Sequence, residues 1–240
     1  MALPQVNASR YTTVIPSTGE EIEFRPFLVK EEKLLMVALE SKDQKLIVRT
    51  LKDVILACTF DKVDVAKLAS FDLEYLFLQL RAKSVGETAK IALKCSECDE
   101  SMKHNVVLED IKLNVPKDDK IVMLTDKVGI QFKYPSVNDM DELNLSDIEG
   151  LTQEQQLAAT ETLILISMDQ IFDEDEVHAV ENYTKDELIE FVGGLNSSQF
   201  QKVTEWFADM PALKHTLKWD CKKCEHSNVV ELRGLQSFFT

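Results

Sequence analysis

The chain has 240 residues, with 42 Asp and Glu against 27 Lys and Arg, and a formal net charge of −15. This balance argues against non-specific binding to nucleic acid or to an anionic membrane, because the phosphates of either would repel it. Hydrophobic residues make up 45% of the chain, enough for a sizeable core, and no apolar run approaches the roughly 20 residues of a membrane span. Residues 1–7 lack the features of a signal peptide, so we expect a reducing cytoplasm, where paired cysteines hold metal more often than they form disulfides.

The N-terminal region predicts a β-hairpin followed by three helices. Residues 11–15 and 21–25 have strand-like composition and flank a Pro-Ser-Thr-Gly turn, and Pro26 ends the second strand. We predict helices over residues 31–40, over residues 43–58, and from an N-cap at Asp72 to Gly86.

Cys58 lies on the apolar stripe of the second predicted helix, with Ile47, Leu51 and Val54. The favoured interpretation is a buried core thiol, since free cysteine is among the most buried residue types. A fifth metal ligand or a nucleophile is the alternative.

The other four cysteines form two C-x-x-C pairs, Cys95 with Cys98 and Cys221 with Cys224. Each pair lies between short β-like segments. We therefore predict that each pair forms a knuckle, a tight turn that carries two cysteines and connects two strands. Two such knuckles supply the tetrahedral four-sulfur set that suits zinc or iron. Residues 99–220 separate the pairs, so a shared site must form across the fold. Free surface thiols or a labile disulfide are the alternatives. Dithiol redox catalysis is disfavoured, because neither pair begins a helix after a strand.

The middle of the chain predicts one hairpin and then a helical region. The hairpin comprises strands over residues 120–124 and 128–134, and the pattern over residues 136–210 is helical. Capping boxes begin at Thr152 and Thr184, and Ser197 or Ser198 is predicted to cap the last helix. The acidic residues 173–176 invite a calcium interpretation, but the central glycine of such a loop is missing, so a solvated turn is favoured.

The stretch from residue 71 to Cys98 resembles a known family. An aspartate, a helix, a Leu-Arg pair, an aliphatic-Gly pair, a strand and the first knuckle follow one another in an order that is similar to the baseplate hub proteins of T4-type contractile-tailed phages. In that family a second knuckle returns near the C-terminus, as it does here, and the segment over residues 23–27 is similar too. The family's first knuckle usually carries Pro after its first cysteine and Gly after its second, where this chain has Ser96 and Asp99.

We therefore expect an α+β fold of mixed helices and short antiparallel strands. A Cys₄ zinc ribbon, built from Cys95, Cys98, Cys221 and Cys224 around one structural zinc per chain, is predicted to join its distant parts. The expected domains are an N-terminal α+β region over residues 1–135, an inserted helical lobe over residues 136–211, and C-terminal strands over residues 212–240 that pack on the first region.

The resemblance implies a late phage protein, either a structural subunit of the baseplate hub or a chaperone for hub assembly. It would bind other hub and tail proteins in the cytoplasm of the infected host or in the virion tail, with neither nucleic acid nor a membrane span involved. The alternative is a zinc-ribbon enzyme or a transcription-type nucleic-acid factor. An enzyme is disfavoured, because a closed four-cysteine shell leaves no open metal position.

No catalytic motif stands out among the remaining polar residues. The sequence has no G-x-S-x-G, no P-loop and no zinc-protease spacing among its four histidines. His104 and His226 follow the two knuckles, where either could replace a thiolate, although contact with a ligand or with solvent is the default expectation. The apolar residues 235–240 are expected to tuck onto the zinc lobe or to dock on a partner.

Overall fold

The computed structural model describes residues 8–113, 120–142 and 152–234. The chain divides into two compact units, one formed by Met1–Asn114 with Pro211–Thr240 and the other by Val115–Met210. Both units mix helices with short antiparallel strands, which confirms the predicted α+β class. Within the described ranges, no helix combines the length and the apolar character that crossing a membrane requires.

The helices and strands follow one another through both units. The strands are β1 (Tyr11–Val14), β2 (Glu21–Phe24), β3 (Thr88–Lys94), β4 (Ser101–Val107), β5 (Lys112–Leu113), β6 (Ile121–Met123), β7 (Gly129–Phe132), β8 (Met168–Phe172), β9 (Val177–Ala179), β10 (Leu213–Asp220) and β11 (Ser227–Arg233). The helices are α1 (Val29–Ser41), α2 (Gln44–Cys58), α3 (Ser70–Ser84), α4 (Val137–Glu142), α5 (Gln153–Ser167), α6 (Lys185–Gly193) and α7 (Ser197–Ala208).

The first unit begins with the predicted hairpin and three helices. Strands β1 and β2 pair in antiparallel register, and α2 contacts both α1 and α3. The predicted N-cap of α3 is wrong, because the helix begins at Ser70 and Asp72 occupies its third position. The Asp72 carboxylate accepts hydrogen bonds from the backbone N–H groups of Ala69 (3.2 Å) and Ser17 (3.0 Å). Asp72 therefore caps the first turn of α3 from inside the helix and connects it to the β1–β2 turn by a hydrogen bond.

An ion pair between half-buried Arg25 and buried Glu31 joins the end of β2 to the start of α1. The Arg25 guanidinium donates to both carboxylate oxygens of Glu31, at 2.9 and 3.1 Å, and Glu31 also accepts from the N–H of Leu28. Arg25 also approaches the Cys58 thiol at 3.6 Å. Cys58 is fully buried, as predicted, and burial raises the pKa of its thiol to about 11. A buried protonated thiol is a core residue and a poor nucleophile.

Two antiparallel hairpins complete the first unit. Strands β3 and β4 pair from Thr88↔Val107 to Lys94↔Ser101, and β10 and β11 pair from Lys214↔Arg233 to Asp220↔Ser227. The short strand β5 pairs with the other edge of β10, and α3 contacts β10 as well. The C-terminal segment is therefore held in the first unit by contacts that do not involve its cysteines.

The second unit contains a four-stranded antiparallel sheet in the order β6-β7-β8-β9. The helical pattern predicted over residues 136–210 is wrong in this respect, because β8 begins where α5 ends and β9 follows it. Both strands are short, and their stability comes from long-range pairing with β7, which periodicity within a window does not reveal. The predicted hairpin over residues 120–134 is β6 and β7, and its pairing with β8 places it in this second unit.

A contiguous hydrophobic core holds the sheet of the second unit against its helices. Phe132 and Ile130 of β7 are fully buried with Ile164 of α5 and Val203 of α7. The Trp206 ring stacks on Phe132, with ring centroids 4.7 Å apart. Trp206 is therefore a packing residue.

The helix caps of the second unit follow the predictions in two of three cases. Thr152 and Thr184 form the predicted capping boxes. The last helix is capped by Asn196 in place of Ser197 or Ser198, because the Asn196 side chain accepts from the N–H of Gln199 and leaves both serines inside the helix. The acidic run is the β8–β9 turn, where the Asp173 carboxylate accepts from two backbone N–H groups of the turn.

Candidate metal centre

The first knuckle is a tight turn between β3 and β4. The N–H of Cys95 donates to the carbonyl of Glu100 (2.9 Å), and the N–H of Asp99 donates to the carbonyl of Cys95 (3.0 Å). Asp99 has φ = 55°, in the left-handed region that glycine adopts without strain. The departure from Gly at this position is therefore accommodated by an aspartate in the same backbone conformation, which Asp tolerates better than most residues.

The second knuckle repeats this geometry between β10 and β11. Cys221 donates to the carbonyl of His226 (2.9 Å), Glu225 donates to the carbonyl of Cys221 (2.9 Å), and Glu225 has φ = 60°. The two turns are thus equivalent bond for bond.

The similar Asn-Val-Val segments after the two knuckles are not equivalent in the structure. Asn105 pairs with Lys90, far from the first knuckle, whereas Asn228 pairs with Trp219 beside the second. Met102 holds the position in the first hairpin that Asn228 holds in the second, since each lies one pair beyond the knuckle.

The two knuckles bring the four cysteine sulfurs together. All four lie within 4.8 Å of one another, with Cys95 Sγ 3.6 Å from Cys224 Sγ and Cys98 Sγ 3.6 Å from Cys221 Sγ. The short approaches cross between the knuckles, so each sulfur has its close neighbour in the other turn. Sulfurs at the corners of a regular tetrahedron with metal–sulfur bonds of about 2.3 Å are about 3.8 Å apart. The distances therefore fit a four-thiolate metal site, and they are far longer than the roughly 2.05 Å of a disulfide.

Asn228 links the two knuckles, a role that was not predicted from the sequence. Its buried side-chain carbonyl accepts hydrogen bonds from the N–H (3.0 Å) and the hydroxyl (3.1 Å) of Ser96. Its amide NH₂ donates to the carbonyl of His226 (3.0 Å) and lies 3.6 Å from the sulfur of Cys95. The sequence does show a polar residue at this position next to a knuckle. That the position faces inward can be recognised only when the strand register is known.

Two further contacts join the hairpins around the sulfurs. The His104 ring packs on the Trp219 ring, with centroids 4.7 Å apart, and the Lys223 ammonium pairs with Glu100 at 3.0 Å. The first contact extends the junction away from the turns, while the second is exposed and contributes little. Neither His104 nor His226 belongs to the cluster of candidate ligands found among the described residues.

The first cysteine of each knuckle is poised to carry negative charge. Burial opposes ionisation of Cys95, but two backbone N–H groups of its own turn and the Asn228 amide outweigh it and lower the pKa of Cys95 to about 6. Two N–H groups of the second turn likewise lower the pKa of Cys221. Both turns therefore stabilise a thiolate, the form that binds metal.

The second cysteine of each knuckle is affected in the opposite direction. A backbone N–H favours the thiolate at each, but burial and the neighbouring sulfurs outweigh it, which raises the pKa of Cys98 and raises the pKa of Cys224 to about 12. Four thiolates this close repel one another. A divalent cation between them removes the repulsion, so the arrangement suits a cation at its centre.

The remaining predicted features contribute no further ligand. Cys58 is not part of the four-sulfur cluster, and the acidic turn over residues 173–176 is closed by its own backbone hydrogen bonds. The C-terminal residues 235–240 lie outside the described residues.

Fold and site together define a two-unit α+β protein with a four-cysteine candidate metal site between two β-hairpins. The family model described as "T4 bacteriophage base plate protein" matches residues 8–240. The chain therefore belongs to the family of T4-type phage baseplate proteins, as the resemblance indicated. No curated protein and no solved structure matches it.

Proposed function

We propose that the protein is a structural subunit of the baseplate hub, or a chaperone of hub assembly, and that it acts by binding other proteins. The observation that carries this proposal is the family match, which extends over residues 8–240 and thus includes both knuckles and the whole second unit. Its partners would be other hub and tail proteins. It would act in the cytoplasm of the infected host during assembly and, as a hub subunit, in the virion tail.

We further propose that Cys95, Cys98, Cys221 and Cys224 hold one structural metal ion, with zinc favoured over iron. The crossed sulfur approaches at 3.6 Å and the N–H groups directed at the first cysteine of each turn support this assignment. Four sulfurs complete a tetrahedral shell, which suits a structural role, since catalytic zinc keeps a position open. The ion would bind the β3–β4 hairpin to the β10–β11 hairpin and close a long loop of chain.

The distribution of charge supports a role in protein binding. The second unit, Val115–Met210, contains six lysines, no arginine and 21 acidic residues, so it carries the entire net charge of −15, while the first unit is neutral. A surface of this sign repels nucleic acid and lipid phosphates and attracts basic protein surfaces. The alternative of a nucleic-acid factor has no support in this distribution.

Quantitative mass spectrometry of purified virions separates the two roles. A hub subunit should be present in each tail at a fixed ratio to other baseplate proteins. A chaperone should be absent from virions, while its deletion should leave infected cells without assembled hubs. Normal tail assembly in a phage that lacks the protein would contradict both forms of the proposal.

A further inference from the structure

Helix α1 exposes an apolar face that no described residue covers. Val29, Leu34, Met36 and Val37 are between 56 and 65% exposed, and Leu39 is 44% exposed. Only Glu31, Leu35 and Ala38 of this helix are buried. Monomeric proteins seldom place several large apolar side chains side by side in water, and such patches mark interaction sites.

The charges on this face are arranged in a self-complementary order. Lys33, Met36, Val37 and Glu40 follow the i, i+3, i+4, i+7 spacing, so they form one stripe along the helix. A base stands at its N-terminal end, an acid stands at its C-terminal end, and two apolar residues lie between them. Within the described part of the chain, neither Lys33 nor Glu40 takes part in an ion pair.

We propose that α1 is the interface of a homodimer, in which two copies of the helix pack antiparallel about a two-fold axis between Met36 and Val37. In this arrangement Lys33 of each copy faces Glu40 of the other, and Met36 faces Val37. A two-fold interface requires a self-complementary patch of this kind.

The charge order selects the antiparallel arrangement over the parallel one. A parallel pair would place Lys33 against Lys33 and Glu40 against Glu40, which is unfavourable at short range. The antiparallel pair also brings the N-terminal end of each helix dipole to the C-terminal end of the other. Because a single helix gives a small interface, we expect a dimer that dissociates on dilution.

Charge reversal tests the pairing directly, using the full-length protein in analytical ultracentrifugation. In Lys33→Glu each copy places an acid against an acid, and in Glu40→Lys each copy places a base against a base. Either change should raise the dimer Kd by about tenfold or more. The double variant Lys33→Glu/Glu40→Lys restores opposite charges at both contacts and should dimerise like the parent. An equimolar mixture of the two single variants should form a heterodimer.

A matched control separates the interface from a general effect of charge. Lys62 is exposed on the same unit and lies outside α1 in the turn after α2, so Lys62→Glu changes the net charge as Lys33→Glu does and should leave the dimer intact. Circular dichroism and metal content, unchanged in each variant, establish that the fold is retained.

Three results would overturn the proposal. The first is a parent protein that stays monomeric at every concentration, which would assign the face to a different protein. The second is a dimer that is indifferent to both single reversals. The third is a double variant that dimerises as weakly as the single variants, since this would show that Lys33 does not pair with Glu40.

Discussion

The two units of the chain differ in charge, in cysteine content and in how their parts are held together. The first unit is neutral, contains all five cysteines and is assembled from both ends of the sequence, whereas the second is contiguous, strongly acidic and free of cysteine. The second unit relies on a core shared by its sheet and helices, including Phe132, Ile164 and Val203. The first must keep two distant segments together, and the four-cysteine site lies where they meet. The candidate metal site thus lies where two segments that are distant in sequence must be held together against the entropy of a long loop.

Each unit also carries one of the two tryptophans, so the comparison can be measured. Trp219 lies beside the second knuckle, packed on His104, and Trp206 lies on the core of the second unit. In a Trp206→Phe variant the fluorescence of Trp219 therefore reports on the first unit alone. In a Trp219→Phe variant the fluorescence of Trp206 reports on the second.

The largest effect is expected from Cys221→Ser, which removes one sulfur of the proposed metal site. Structural zinc contributes on the order of 10 kcal/mol to the folding of small fingers. Here the first unit has its own core, so we expect a smaller loss of roughly 5 kcal/mol, confined to that unit. Denaturant unfolding followed by Trp219 fluorescence should show the loss, while Trp206 fluorescence should not change. An equal loss of stability at both tryptophans would contradict the prediction that the effect is confined to the first unit.

The reciprocal change is Phe132→Ala in the core of the second unit. Phe132 is 1% exposed and stacks on Trp206, so its truncation should lower the unfolding free energy of that unit by about 3–4 kcal/mol. Metal content should stay at the parental value. Leu157→Ala, at a position that is 65% exposed, is the matched control and should change stability by less than about 0.5 kcal/mol. Loss of metal in Phe132→Ala would show that the site depends on the second unit.

The Arg25–Glu31 pair makes part of the stability of the first unit sensitive to acid. Burial alone would raise the pKa of Glu31, but hydrogen bonds from Arg25 and Leu28 reverse this and hold it below its usual value of 4.5. A carboxylate with a lowered pKa stabilises the fold above the unfolded pKa, and this contribution is lost as the pH falls through the folded pKa. Glu31→Gln should therefore cost about 2–3 kcal/mol at pH 7, since it leaves a half-buried guanidinium without its counter-ion.

Unfolding of Glu31→Gln and of the parent, followed by Trp219 between pH 7 and pH 3, measures this dependence. The difference between the two proteins should shrink on acidification. A difference that stays constant down to pH 3 would rule out the ion pair as its source.

Cys58→Ala should lower the stability of the first unit by about 1–2 kcal/mol, because it removes one small buried group next to Arg25. Metal content should not change, since Cys58 lies outside the four-sulfur cluster. Elemental analysis of the purified variant decides this point, and a loss of metal would identify Cys58 as a ligand.

The smallest effect concerns the left-handed residue of the second knuckle. Glu225 has φ = 60°, and a non-glycine side chain in this region carries a steric cost of roughly 1–2 kcal/mol. Glu225→Gly should therefore raise the unfolding free energy by about 0.5 kcal/mol, after the greater freedom of glycine in the unfolded chain is counted. Asp99→Gly should gain less, because aspartate tolerates this conformation. A loss of stability in Glu225→Gly would indicate that its side chain has a role in the knuckle.

The sequence predicted the two knuckles and the first hairpin, because C-x-x-C spacing and alternation are local signals. It did not predict β8 and β9, whose short segments become strands only by pairing with β7. The start of α3 was misplaced because Asp72 acts from inside the helix. Asn228 was missed for a related reason, since its contact with Ser96 joins residues on different hairpins. Local chemistry was thus predictable, and the contacts that bring distant segments together were not.

The central claim is that one metal ion joins the two hairpins of the first unit. X-ray absorption at the metal edge, with elemental analysis of the purified protein, tests it most directly. We predict one zinc ion per chain, bound by four sulfurs at about 2.3 Å, with binding abolished in Cys98→Ser and equally in Cys221→Ser, because each removes a ligand from a different hairpin. A metal-free protein with four reactive thiols, or a site that survives the loss of either knuckle, would contradict the claim.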